Sequence, residues 1–212
     1  KTGALSSKVT TRTFFIDEDE MKMPIVAISV DSSFFRQHYI KTSCQAPKNC
    51  SDSAGLYADV ELPVHVEYFE KGSSTKDGAT WEKDAGISLM GGYSRLNDKK
   101  SVSIHLREGY EDGSINYPLF ETRKGVNDKY RAFNLRNNGN RFVSDYIEDA
   151  MGGALLEGTS VDYQRSRQVV VFYNGKYYGI HDMRERFNKH FVETNYKIEA
   201  NTVNFIKHLG LE

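Results

Sequence analysis

Between Gly86 and Arg107 the sequence GISLMGGYSRLNDKKSVSIHLR gathers two adjacent glycines, a hydroxyl, a guanidinium and two lysines around one turn. Gly91 and Gly92 can take positive φ and expose backbone N–H groups, and Ser94 and Arg95 add donors, a set suited to an anion such as phosphate. Ile87 and Leu89 before the turn, and Val102, Ile104 and Leu106 after it, alternate with Ser, Met and His at the period of half-buried strands. Counting back by two from Val102 puts Lys100 on the apolar face, with its ammonium directed into the sheet, and Lys99 on the Ser/His face. A lysine so placed needs an anionic partner. The competing reading is a loose hairpin whose lysine snorkels to water.

The elements that would position these groups can be read on either side. Pro24 to Val30 (PIVAISV) is a continuous apolar, β-branched run and reads as a buried strand. Leu62 to Phe69 (LPVHVEYF) alternates Val64, Val66 and Tyr68 with His65, Glu67 and Phe69, and the GSSTKDG that follows is a loop. Residues 117–129 read as a charged loop, leading into YRAFNLRNNGN, where Phe133 and Leu135 alternate as a strand before an Asn/Gly turn. A helix is expected from Asn140 as N-cap, with Phe142, Val143, Tyr146, Ile147, Ala150, Met151, Ala154 and Leu155 forming one apolar stripe. Gly152-Gly153 inside it implies close packing against another backbone or an early end near Gly158. Gln168 to Tyr173, Asn174-Gly175 and Lys176 to Ile180 form the strongest hairpin signal in the chain. Met183 to Thr194 reads as a helix with Phe187, Phe191 and Val192 inward, and Asn201 as the cap of a last short helix holding Phe205, Ile206 and Leu209. The expected class is α+β, a mixed or antiparallel sheet with a packed helix.

Composition narrows the functions. With 212 residues and 39% hydrophobic content the chain can bury one substantial core. Its 28 basic residues against 29 acidic ones give no electrostatic case for nucleic acid or an anionic membrane surface. No run approaches a membrane span, and KTGALSSKVTTRTFF lacks a hydrophobic signal core, so any export signal is expected to have been removed. Cys44 and Cys50, in a polar Pro/Gly-containing loop, are expected to close a small disulfide in an oxidising compartment. A zinc reading of these cysteines with His38 and His65 matches no common ligand spacing. Ser94 near His105 lacks a G-x-S-x-G elbow, and His38, His65, His105, His181, His190 and His208 show no H-E-x-x-H pairing, so neither a serine hydrolase nor a metalloenzyme is expected.

Taken in order, GGYSR, KKSVSI, FNLRNNGN, VVVFYNGKYYGI and HDMRERFNKHFV resemble the CotH kinase family, spore-coat and extracellular proteins with an atypical protein-kinase-like fold. The resemblance runs over residues 86–200, and PIVAISV with AGLYADVELPVHVEYFE looks like the N-terminal extension of secreted, multidomain members. It implies a β-rich extension over 1–70 and the N-terminal half of a kinase-like fold over 71–212, in one continuous unit. By the resemblance, Gly91 and Gly92 match a phosphate-covering loop and Lys100 matches the lysine that holds the nucleotide's phosphates. The helix after residue 140 would supply that lysine's carboxylate, from Asp145, Glu148 or Asp149. The hairpin through Tyr178-Gly179-Ile180 would back the nucleotide pocket, with Arg184-Glu185 near the connection to a second lobe. The nucleotide-binding set is then Gly91, Gly92, Ser94, Arg95, Lys100, Arg136, Glu148 and Glu185, with ATP and Mg²⁺ as cofactors and no protein-held metal. Three of the singled-out residues also have plain readings: Arg136 pairing with an acidic helix, Asn137 shaping a turn and Glu185 pairing on a helix surface.

The implied activity is phosphorylation of Ser/Thr hydroxyls on secreted or surface proteins, outside the cell or on its surface. No D-x-x-x-x-N or D-F-G-like element follows Glu185, so the catalytic aspartates are expected downstream of Glu212 and efficient transfer is not expected of these residues alone. The alternative is a non-catalytic extracellular module, structural or binding, whose aromatics (Trp81, Tyr93, Tyr110, Tyr173, Tyr177 and Tyr178) contact a polysaccharide or protein.

Overall fold

Alternation along the strands sorts the chain into an apolar interior and a polar exterior, and the strands curl until the two ends of the sheet meet. The structure is a computed structural model that describes residues 9–34, 57, 60–120, 126–139, 144–145, 147–207 and 210–211. The expectations for Cys44, Cys50, His38, Asn140, Phe142, Val143, Tyr146, His208 and Leu209 lie outside the described residues.

β1 (Ile25–Val30) is followed by a single helical turn, α1 (Ser32–Phe34), then by β2 (Leu62–Phe69), β3 (Trp81–Met90) and β4 (Ser101–His105). A short ribbon pairs β5 (Ile115–Asn116) with β6 (Lys129–Tyr130) before β7 (Ala132–Arg136). Helix α2 (Glu148–Ala154), the hairpin β8 (Ser166–Tyr173) and β9 (Lys176–Glu185), and helix α3 (Lys189–Tyr196) complete the body. The final strands β10 (Ile206–Lys207) and β11 (Gly210–Leu211) pair only with each other. The closed barrel runs β1-β2-β3-β4-β7-β9-β8 and returns to β1, with every pair antiparallel except β1 against β8. Closure removes the free strand edges that an open sheet would present to other chains.

Val26 and Ile28, Val66 and Tyr68, Ala85 and Ile87, Val102 and Ile104, Phe133 and Leu135, Val169 and Val171, and Met183 all point inward and are buried. They fill the barrel with side chains, as a small barrel requires. Leu119 and Phe120, in the loop read as merely charged, join that core. The Asn-Gly turn forms as the sequence predicts, with Asn174 at φ 48 and Gly175 at φ 76. The Asn174 side chain also forks onto the first strand: its Oδ1 accepts from Val30 N and its Nδ2 donates to Val30 O, each at 2.9 Å.

The α+β class stands, and its mixed sheet closes into a seven-stranded barrel. The boundary expected at residue 70 falls between β2 and β3, which are paired in that barrel. Three helical expectations differ from the structure. The stripe expected to pack is exposed: α2 buries no residue, and Ile147, Met151 and Leu155 face solvent. Asp145 Oδ1 receives the N–H groups of Ile147 and Glu148 and sets the helix start there. Residues 183–185 extend β9 instead of opening a helix, because Met183 continues the inward row of that strand. α3 begins only after Asn188, whose side chain accepts from His190 N and Phe191 N. Ile206–Lys207 and Gly210–Leu211 pair as antiparallel strands where a helix was expected.

Candidate phosphate-binding groove

On the β3, β4, β7, β9 and β8 side of the barrel, polar side chains on the outward parity are aligned by the register into rows. Ser88 lies opposite Ser103, Ser103 opposite Asn134, Asn134 opposite Arg184, and Arg184 opposite Ser166. The neighbouring row sets Arg136 opposite Asp182 and Asp182 opposite Gln168. Ser103 Oγ donates to Asn134 Oδ1 at 2.8 Å, and Ser101 Oγ donates to Asn137 Oδ1 at 2.7 Å, so the floor is hydrogen-bonded before any ligand arrives.

Helix α2 leans over these rows. Its Asp149 carboxylate forms ion pairs with Arg136 at 2.7 Å and Arg184 at 3.1 Å, bridging two guanidinium groups. Arg184 also pairs with Asp182 at 3.3 Å. Burial foremost pushes the Asp182 carboxyl above its usual range, against the pull of Arg184. Burial likewise lowers Arg136, and neighbouring Arg184 adds to the effect. A cleft of about 520 Å³ lies between the sheet and α2, lined by Arg136, Arg184, Glu148, Asp149, Gly152 and Gly153 among others. A second, of about 370 Å³, is lined by Ser88, Gly91, Arg95, Asn134, Arg136 and Arg186 among others. The two share Arg136, Gln164 and Phe187 and form one groove.

Four guanidinium groups, Arg95, Arg136, Arg184 and Arg186, face this groove beside neutral hydroxyl and amide groups and the carboxylates of Glu148, Asp149 and Asp162. Planar, permanently charged forks in a partly desolvated cleft are the donors that hold phosphate oxygens in bidentate geometry. Two glycines make the arrangement possible. Gly91 has φ 100, and a Cβ there would lie 2.1 Å from Ser94 Oγ. Gly139 has φ 59, and a Cβ there would lie 2.8 Å from the Arg136 guanidinium.

The family model described as CotH kinase protein matches residues 87–209, more than half of the chain and every strand from β4 through β9. The chain belongs to the CotH kinase family. A comparison with curated proteins gives no match.

On this CotH-family barrel the residues singled out from sequence separate into three groups. Gly91, Arg95, Arg136 and Glu148 line the groove. Gly92 and Ser94 belong to the short 3₁₀ turn at 93–96 that carries Arg95, with Gly92 O accepting from Tyr57 OH and Ser94 buried. Lys100 and Glu185 lie on the interior side. Lys100 follows the inward parity of Val102 and is 5% exposed, as alternation predicted. Its ammonium donates to Arg95 O at 2.7 Å, and no ion pair joins it to Asp145, Glu148 or Asp149 among the described residues. Burial lowers its pKa. Glu185 ends β9 in a buried pair with Arg165 at 2.7 Å and also accepts from Asn195 at 3.0 Å, a strand-end position instead of a helix surface. Arg136 does pair with an acidic helix, and Asn137 does shape its turn, accepting from Gly139 N at 2.9 Å.

Ser103, Asn134 and Asp182 went unnoticed in the sequence because each is one residue of a different strand, and Arg186 because it directly follows β9 with no motif of its own. The aromatics of the binding-module alternative are mostly engaged in the fold. Trp81 stacks on Tyr68 at 5.3 Å, Tyr173 meets Tyr178 at 4.9 Å, and Tyr110 OH donates to Glu61, while Tyr93 and Tyr177 are exposed. Among the described residues, no helix is long and apolar enough to cross a membrane.

Proposed function

We propose that this chain forms the nucleotide-binding part of a CotH-type kinase, taking ATP into the groove under α2 and serving transfer to Ser/Thr hydroxyls of secreted or surface proteins outside the cell. The observation that carries the reading is the pair Arg136 and Arg184, held side by side by Asp149 in a polar cleft within the family-matched region. Phosphoryl transfer spreads charge over the equatorial oxygens of the moving group, so fixed guanidinium forks stabilise it with little reorganisation. The nucleotide's phosphates would meet Arg136 and Arg95, with the Gly91 backbone close by, and Asp149 would keep Arg136 and Arg184 oriented. Mg²⁺, when bound, would travel on the phosphates and neutralise their charge; Glu148, exposed at the cleft, is the carboxylate placed to meet it. Lys100 acts in this reading as a positioning residue, because its ammonium anchors the turn that presents Arg95.

Calorimetric titration of Mg·ATP into the chain tests this. Binding is expected, with Arg136→Ala weakening it about 10–100-fold, the worth of a charge-assisted hydrogen-bond pair. No detectable binding, or an Arg136→Ala variant that binds like the parent, would sink the proposal.

A further inference from the structure

A second cluster of chemistry-bearing side chains lies on the exterior of β2 and β3, upstream of the family-matched residues. His65 and Glu67 stand two apart on β2, and their register partners on β3 are Asp84 and Glu82. Glu67 and Glu82 are therefore two carboxylates directly opposite each other, a pairing that repels unless a cation intervenes. Ligand atoms of His65, Glu67 and Glu82 lie within 4.8 Å of one another. Glu67 is 1% exposed, and among the described residues its oxygens accept from Thr13 alone, at 3.1 Å from the backbone N–H and 2.6 Å from Oγ1. No cationic partner reaches Glu67 among the described residues, whereas Glu82 meets Arg12 at 2.7 Å. A buried carboxylate without a counter-charge is costly.

The imidazole supplies the independent sign. His65 Nδ1 lies 2.8 Å from Asp84 Oδ1. A proton on Nδ1 donated to that carboxylate leaves Nε2 as a bare lone pair. Nε2 is buried and has no hydrogen-bond partner among the described residues. A carboxylate behind one ring nitrogen, with the other nitrogen unpartnered, is how metal-binding histidines are oriented.

We propose that His65 Nε2 and one oxygen each of Glu67 and Glu82 bind a divalent transition-metal ion, Zn²⁺ by the chemistry of one imidazole and two carboxylates. Bonds of about 2.0–2.2 Å require the three ligand atoms to draw together by small side-chain rotations, with water completing the sphere. Asp84 fixes the imidazole, and Thr13 couples the ion to the N-terminal segment lying over the sheet. The site is independent of nucleotide.

The test uses a Cys44→Ser/Cys50→Ser background, which removes both thiols, stripped with EDTA and titrated with ZnCl₂. One Zn²⁺ per chain is expected, with a rise in Tm that EDTA reverses. His65→Ala and Glu67→Gln are expected to weaken binding by more than about 100-fold, and Asp84→Asn by about 10–100-fold. Should His65→Ala fail to fold by circular dichroism, Glu82→Gln, a partly exposed position, decides with the same expected loss. A stripped background protein that binds no Zn²⁺, or variants that bind as tightly as their parent, would overturn the assignment.

Discussion

Lys100 and Arg136 show how a single side chain's surroundings decide its role. Alternation alone tells that Lys100 faces inward, and it does; what it meets there, a main-chain carbonyl, depends on a turn whose shape no spacing rule specifies. Replacing it with Met should leave Arg95 O without its donor and cost about 1–3 kcal/mol, read by urea unfolding, while lowering nucleotide affinity less than Arg136→Ala does. Glu185 sits in the opposite situation, in an ion pair whose two side chains are 5% and 3% exposed. Glu185→Ala strands the Arg165 guanidinium beside Tyr130 and should destabilise the protein by about 3–5 kcal/mol; a midpoint shift under 1 kcal/mol would contradict the buried pairing. The outward residues of the groove were invisible one at a time. Ser103 and Asn134 look like ordinary solvent-facing positions until the register places them beside Arg184.

At the level of elements, hairpins were legible in detail, while α2 and α3 were legible in place but not in their starts or, for α2, in what covers it. The period-two pattern and the Asn-Gly turn act over a few residues, so β2, β4, β8 and the start of β9 could be read within a residue or two of their observed limits, while the end of β9, five residues past Ile180, could not. The apolar stripe through Ile147, Met151 and Leu155 misled because a helical spacing shows where apolar groups lie, not whether anything covers them. α3 depends on a local cap that was also missed: Asn188 closes the first turn while Asn195 and Thr194 tie the helix to Glu185 and Lys129. Asn188→Ala should lower stability by about 1 kcal/mol, and Asn188→Asp should restore most of it, both measurable by thermal unfolding. Gly175→Ala, forced into φ 76, should likewise lower Tm, by an amount corresponding to about 1 kcal/mol.

For the molecule as a whole, barrel closure pairs β1, in the stretch read as an N-terminal extension, with β8 near the end of the body, and nothing in local composition foretells which strand will accept the first one. Closure also buries His181, whose ordinary pKa of 6.5 falls to about 3 through burial foremost, with Lys99 adding to the effect. The unfolded chain therefore takes up a proton below pH 6.5 that the folded barrel refuses. Stability from this group is complete above that pH and declines as the pH falls toward 3. Between pH 7 and pH 5 the Tm of the parent should drop more steeply than that of His181→Gln; parallel slopes would show that the imidazole is not held neutral. The fork from Asn174 to Val30 spans 144 residues of chain. On a ribosome adding about 5–20 residues per second, the first strand emerges roughly 7–30 s before the hairpin that completes its pairing. Throughout that interval β1 is an apolar ribbon with an open edge, so this protein's exposure to misassociation is set during synthesis, and shielding of the nascent chain matters most before Asn174 has been made.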